Sequence, residues 1–281
     1  MRTSVIKLTK VIVALLFMQS FLAQASLLIS PMRVVLDERT RSGKVVLMNT
    51  GKVTRTYRME WVQKSALPQG GYKNLTDEEA KNFPIASNMY RISPKQVTLA
   101  PNERQIIKVA ARRPKNLQDG EYRSHLLFTA LPERNTGPEP TSGIVLKLSL
   151  SYSIPVMFRQ GALNAQVAVD DEVQLLHNIE KKQGEIVVKL NRTGATSTYG
   201  SIVAYWTPRG SDKERQVAIL NSVNFYPELD HQFYHLHWLK YQPEGGTLRI
   251  AYEGRQEMRN TVIAERVFDI PMSKIITKSK K

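Results

Sequence analysis

The chain has 281 residues, contains no cysteine and carries a formal net charge of +15. The lack of cysteine excludes disulfides, thiol nucleophiles and cysteine-ligated metal sites, so stability must come from buried apolar surface. The basic balance favours partners that carry carboxylates or other anions, whereas nucleic acid is disfavoured because the lysines and arginines are scattered rather than clustered with aromatic residues.

The N-terminal segment, residues 1–25, is typical of a secretory signal peptide. Arg2, Lys7 and Lys10 precede an apolar run over residues 11–23, and Ala23-Gln24-Ala25 provides the small residues that a signal peptidase requires. The apolar run is too short for a comfortable membrane span. We therefore predict an exported protein without stable membrane insertion, with a mature chain of 256 residues (281 − 25) and a net charge of +12 (15 − 3).

Beyond this segment, short β-branched and aromatic runs alternate with turn residues, which predicts an all-β protein. Two series of strands meet at a boundary near Gln160-Gly161. Each series fits one immunoglobulin-like β-sandwich, so we predict domains over 26–160 and 161–281. Asp77 to Lys81 is expected to be a loop insertion, with one helical turn before Pro84 as the alternative. Asp170 to Glu172 is expected to be a solvated acidic loop, and Lys274 to Lys281 a frayed tail. The expected strands are 27–29, 33–36, 44–49, 54–63, 90–93, 96–99, 105–110, 122–130 and 144–158, then 165–169, 185–191, 201–206, 217–223, 232–239, 246–252 and 262–270.

The longest of these strands has an unusual aliphatic face. Ile144, Leu146, Leu148 and Leu150 alternate with residues of the opposite face, a pattern that any half-buried core strand also shows. Pro155 favours an edge strand over an ordinary core strand, because proline cannot donate to a strand ladder and so indicates an edge or a bulge. An exposed aliphatic edge is an aggregation hazard unless a partner strand is meant to pair with it.

The stretch from Ser30 to Leu36 and the sequence Met157-Phe158-Arg159 resemble the PapD-like periplasmic chaperones of the chaperone–usher pathway, in a non-classical or archaic-like branch. The resemblance implies two immunoglobulin-like domains in an L-shaped, boomerang arrangement in the periplasm. It implies that Ile144, Leu146, Leu148 and Leu150 form a strand lent to incomplete fimbrial subunits, which are then delivered to an outer-membrane usher. The same edge would also allow self-association.

The resemblance also implies an anchor for the subunit's C-terminal carboxylate. It assigns Arg33 to that role, and a guanidinium can grip a carboxylate through two parallel hydrogen bonds. The family's second ligand is a lysine, but Pro155 stands at that position. Arg123 and His125 share one face of the strand 122–130, so we predict Arg33 with Arg123 as the anchoring pair and His125 as a weaker alternative.

Three further residues are expected to tie the two domains together. The resemblance gives this role to Arg159, with Glu121 as its first acidic partner and an acid near Gly245-Gly246 as its second. Glu244 is the nearest acid to that glycine pair, although a simple alignment places Pro243 at the family position. Solvated ion pairs without a tethering role are the alternative interpretation.

No residue pattern predicts catalysis or a cofactor. His231, His235 and His237 share one face of a predicted strand, but no acidic or cysteine set completes a metal site, so an aromatic-rich strand with incidental histidines is favoured. No nucleophile elbow, phosphate loop or carboxylate pair is present in the sequence. The competing function is a secreted β-sandwich module or adhesin that binds polyanionic ligands through its positive charge.

Overall fold

The computed structural model describes residues 27–132, 150–162 and 164–278. Within these ranges the chain is almost entirely β-structure and forms two β-sandwiches. Each sandwich encloses one apolar core. The fold is therefore all-β and immunoglobulin-like, as the strand rhythm predicts.

The N-terminal sandwich consists of two sheets. One has the order β1-β3-β9-β7 and the other β2-β11-β10-β4-β8, and a separate hairpin is formed by β5 and β6. The strands are β1 Leu27–Ser30, β2 Val34–Asp37, β3 Ser42–Asn49, β4 Arg55–Val62, β5 Lys64–Ala66, β6 Tyr72–Asn74, β7 Tyr90–Ser93, β8 Gln96–Leu99, β9 Arg104–Ala111, β10 Gly120–Ala130 and β11 Ser151–Gln160.

Alternation along these strands builds the core between the sheets. On β3, Val45 and Leu47 are fully buried while their neighbours lie on the other face. On β11, Ile154, Val156 and Phe158 point into the same core. Every second side chain of the strands in both sheets therefore points into one apolar layer between the sheets, as expected for a sandwich.

The C-terminal sandwich has sheets of order β16-β13-β12-β19 and β15-β14-β17-β18. Its core is rich in aromatic side chains, with Trp206 and Trp238 packed at 5.3 Å between ring centroids. The strands are β12 Ala165–Asn178, β13 Gln183–Gly194, β14 Thr198–Pro208, β15 Arg215–Phe225, β16 His231–Trp238, β17 Gly246–Gly254, β18 Val262–Ile270 and β19 Ile275–Lys278.

Of three expectations about irregular segments, two were wrong, and for the third the helical-turn alternative was confirmed. Asp77–Ala80 is a helical turn, α1, stabilised by a capping box in which Thr76 and Glu79 exchange side-chain and backbone hydrogen bonds. The acidic run 170–172 lies inside β12, where the register with β13 shifts between Val169 and Val173. The tail is paired rather than frayed as far as Lys278, because β19 adds a parallel strand to β12.

Short 3₁₀ turns occur at Ser87–Met89, Gln256–Met258 and Met272–Lys274. The second of these follows β17 and carries Glu257 toward the N-terminal sandwich. Over the described ranges, no helix combines the length and apolarity needed to cross a membrane.

Candidate functional site

The candidate site is built on one face of three neighbouring strands, β2, β11 and β10. His125 lies opposite Pro155, and Arg123 lies opposite Met157. Arg33 directly precedes Val34, which pairs with Val156, so Arg33 continues the same row on the other side of β11. Met157 packs into the core of the C-terminal sandwich, and this face is therefore the one that meets the second domain.

Arg33 is buried at this junction, with only 2% of its surface exposed. Its Nη1 donates to Asn224 Oδ1 at 3.1 Å, and its Nη2 lies 3.0 Å from Glu257 Oε1. The guanidinium also sits 4.5 Å from the centroid of the Tyr199 ring, a cation–π contact. All three partners come from the C-terminal sandwich, so the expected anchor already bridges the two sandwiches through an internal carboxylate.

Arg123 has a similar arrangement with a different acid. Its Nη1 donates to Glu228 Oε2 at 3.1 Å and its Nη2 to Glu228 Oε1 at 2.5 Å, which is a bidentate pair. The guanidinium stacks on Tyr226, 3.7 Å from the ring centroid. Burial alone would lower the pKa of Arg123, but the contact with Glu228 outweighs it and raises that pKa. Arg123 is therefore a fixed, buried cation.

His125 lies deeper than the sequence indicates. It is 1% exposed, meets the Tyr72 ring edge-on at 5.0 Å, and neither ring nitrogen has a hydrogen-bond partner within the described ranges. Burial, with the charges of Arg123 and Lys64, lowers the pKa of His125 to about 2. A neutral imidazole could bind a carboxylate only as a hydrogen-bond donor, so His125 stays the weaker alternative to Arg123 as an anchor.

Arg159 and Glu121 form the centre of a hydrogen-bonded junction between the sandwiches. Arg159 Nε donates to Glu121 Oε2 at 2.8 Å, and Arg159 Nη2 donates to the Ser197 carbonyl at 3.0 Å. Glu121 Oε2 also accepts from the Ser197 amide at 3.1 Å and from the hydroxyls of Ser197 and Thr196. Burial would raise the pKa of Glu121, but Arg159 and Ser197 overcome this effect and hold it below its usual value.

The second acidic partner of Arg159 is Glu257, with Oε1 3.4 Å from Arg159 Nη1. Glu244 was expected in this position, but it lies at the far end of the second sandwich. It accepts from Trp206 Nε1 at 3.1 Å and pairs with Arg215 at 3.3 Å. The expectation was wrong because the acid reaches the junction from a 3₁₀ turn after β17, whereas Glu244 precedes that strand.

The proposed donor face can be followed only at its C-terminal end, since Ile144, Leu146 and Leu148 lie outside the described residues. Even-numbered residues of β11 face the N-terminal core. Ile154 is fully buried, Tyr152 is half-buried and Leu150 is 58% exposed. The apolar side chains of this parity thus leave the core at Leu150, the residue directly before β11.

Pro155 lies directly before the part of β11 that has a neighbouring strand on both sides. β11 pairs with β10 from Ser151 onward, but within the described residues it pairs with β2 only from Val156. Residues 151–155 are thus unpaired on one side in the described chain, an edge where proline is tolerated.

A sequence profile of the family described as pili and flagellar-assembly chaperone, PapD N-terminal domain, matches residues 26–164. This half of the chain belongs to the PapD chaperone family. No curated protein sequence matches the chain.

Several solved structures resemble this PapD-family chain. The YadV chaperone is 12% identical and has a TM-score of 0.45, with 88% of this chain and 100% of that chain covered. A second structure is the CsuC–CsuE chaperone–tip adhesion subunit pre-assembly complex from archaic chaperone–usher Csu pili of Acinetobacter baumannii. It is 13% identical and has a TM-score of 0.42, with 91% of this chain and 100% of that chain covered. The CupB2 chaperone of Pseudomonas aeruginosa is 15% identical and has a TM-score of 0.41, with 87% of this chain and 99% of that chain covered.

Sequence reasoning missed how the β5–β6 hairpin joins this PapD-family domain to the second sandwich. Tyr72 and Tyr226 share a hydrogen bond between their hydroxyls at 3.0 Å, and the Phe233 amide donates to the Pro68 carbonyl at 2.9 Å. The hairpin strands have only three residues each, too few for alternation to be recognised. Pro68 and Gly70-Gly71 are the turn signals between them.

Two of the three histidines of β16 contact different acids. His231 Nδ1 lies 2.5 Å from Asp230 Oδ1, and His235 Nδ1 lies 2.7 Å from Glu185 Oε1. Across the described ranges no three metal-ligating side chains converge.

Proposed function

We propose that the protein is a periplasmic chaperone that captures fimbrial subunits by donor-strand complementation and delivers them to an outer-membrane usher. The observation that carries this proposal is the change in burial from Ile154 on β11, which is fully buried, to Leu150 directly before that strand, which is 58% exposed. Membership of the PapD family favours this function over a polyanion-binding module.

The proposed donor segment continues this face upstream. Ile144, Leu146 and Leu148 have the same parity as Leu150, so an uninterrupted strand would present four aliphatic side chains in a row. A subunit that lacks one strand of its own sandwich exposes a groove of matching chemistry, and main-chain hydrogen bonds to the donor strand would complete its sheet. No nucleotide or cofactor is needed for such pairing.

A fixed end point is needed because a slip of one residue would turn every leucine to the opposite face. We assign this role to the subunit's C-terminal carboxylate bound between Arg33 and Arg123. Both guanidiniums are held at the junction between the sandwiches by their acidic partners. Because each is already paired with an acid of the second sandwich, an incoming carboxylate would exchange with Glu257 or Glu228 rather than meet an unpaired charge.

Co-purification of a fimbrial subunit expressed with the chaperone tests the anchor. Arg33→Ala should greatly reduce the recovered complex, and Arg33→Lys should reduce it less, since lysine keeps the charge but loses the bidentate grip. Arg39→Ala removes an exposed arginine nearby and is the matched control. The urea midpoint of each free chaperone distinguishes lost binding from lost folding, and undiminished complex with folded Arg33→Ala would contradict the assignment.

A further inference from the structure

The sheet β1-β3-β9-β7 of the N-terminal sandwich has one face on the core and one face toward solvent. On β3 and β9 the core side chains, such as Leu47 and Ile107, are fully buried, so the alternate residues of these strands form the open face. The register places Lys44 opposite Lys108, Val46 opposite Ile106 and Met48 opposite Arg104. We call this surface the outer sheet face.

The outer sheet face carries charge of one sign. Its cations are Lys44, Arg91, Arg104 and Lys108, and all four side chains are exposed. Among the described residues of these four strands, no aspartate or glutamate stands on this face. Lys44 and Lys108 lie directly opposite each other on neighbouring strands, and like charges in such a pair destabilise a sheet. The chain thus retains a repulsion that folding does not require.

Aliphatic side chains lie between these cations. Ile106 is 49% exposed and stands on β9 between Arg104 and Lys108. On β1, Leu28 is 48% exposed and lies beside Met48, which is half-buried. Cations around exposed aliphatic groups are typical of protein surfaces that rest on the headgroup and acyl boundary of an anionic membrane.

The size of the outer sheet face favours a membrane over a protein partner. Four strands about 4.8 Å apart, the longest about 26 Å in length, cover roughly 400 Å². Each partner in a standard protein interface contributes about 800 Å², so this face alone is too small for a stable protein complex. A membrane with anionic lipids presents one sign of charge over an extended surface, which complements a face without acids.

We propose that the outer sheet face binds the surface of membranes that contain anionic phospholipids, with Lys44, Arg104 and Lys108 against the lipid phosphates. The contact is peripheral, which agrees with an exported protein that has no stable membrane insertion. β11 lies in the other sheet of the sandwich, so the proposed strand lending and the membrane contact use different sheets. The inference therefore goes beyond the proposed function and does not depend on it.

Co-sedimentation of the purified protein with lipid vesicles tests the inference. Wild type should bind vesicles of phosphatidylcholine with about one third phosphatidylglycerol, bind pure phosphatidylcholine vesicles far less, and be released as salt rises from about 50 to 500 mM. Lys44→Gln/Lys108→Gln should weaken binding to the anionic vesicles about twentyfold or more, since each lysine near such a surface contributes about fivefold. Its urea midpoint should equal or exceed that of wild type, because the substitutions remove a repulsion.

The matched control is Lys181→Gln/Lys213→Gln, which removes the same charge from exposed positions of the second sandwich. Its binding to the anionic vesicles should stay within about threefold of wild type if the outer sheet face carries the contact. Equal losses in the two double variants would mean that only net charge matters and would overturn the inference. Equal binding of wild type to anionic and neutral vesicles would also overturn it and would leave an acidic protein as the partner that this face fits.

Discussion

The uncharged state of His125 predicts a specific acid sensitivity of folding. In the folded protein the pKa of His125 is lowered from 6.5 to about 2, first by burial and then by Arg123 and Lys64. The unfolded chain binds a proton as the pH falls through about 6.5, whereas the folded chain does not. Stability from this group is therefore complete above pH 6.5 and is lost progressively as the pH falls below it.

The size of this effect follows from linkage. At about pH 5 the unfolded state gains about 2 kcal/mol relative to pH 8, and the result is the same whether the folded pKa is about 2 or about 3. His125→Phe removes the titrating group and keeps an aromatic ring against Tyr72. When the free energies of unfolding of the two proteins are subtracted at each pH, the contributions of the other titrating groups cancel.

Urea unfolding followed by tryptophan fluorescence at several pH values measures this difference. Between about pH 8 and pH 5, wild type should lose about 2 kcal/mol more than His125→Phe. Parallel pH profiles of the two proteins would refute the reasoning and would mean that His125 becomes protonated in the folded state. A protonated His125 would add a positive charge to the predicted anchor.

Two further predictions concern the junction between the sandwiches. Glu121→Gln removes the negative charge that is hydrogen-bonded by Arg159 and Ser197. In urea titrations it should lower the free energy of unfolding by about 2–3 kcal/mol, since hydrogen bonds to buried charged groups are worth this much. A loss below about 0.5 kcal/mol would contradict this prediction. Gly161→Ala should cost about 1–3 kcal/mol, because Gly161 has φ +78°, a conformation that residues with a side chain rarely adopt, and the added Cβ would meet the Asp119 side chain. An unchanged thermal midpoint would show that the backbone relaxes.

The sequence predicts the strands best where one face is buried and the other solvated. Tyr90–Ser93, Gln96–Leu99 and Val262–Ile270 have the predicted bounds, because alternation and turn residues act together there. β12 extends far past its predicted end because a bulge carries three acidic residues through a strand, which interrupts the alternation that a sequence pattern can detect.

The site was less predictable than the fold because its contacts join distant segments. Glu257 and Glu228 reach Arg33 and Arg123 across more than a hundred residues, and no local spacing identifies which acid will arrive. The charge state of His125 likewise depends on burial by Tyr72 and by the hairpin that carries it. Residue type suggested a cation at this position, whereas the surroundings determine a neutral ring.

Capture of a fimbrial subunit by donor-face variants tests the central claim most directly. Leu148→Glu places a charge on the proposed donor face, and Lys147→Glu makes a charge change at the neighbouring position of opposite parity. With the subunit co-expressed and the chaperone purified by affinity, Leu148→Glu should recover little or no subunit, and Lys147→Glu should recover about as much as wild type. Undiminished capture by Leu148→Glu, or equal loss in both variants, would contradict the proposal that this face is the strand lent to the subunit.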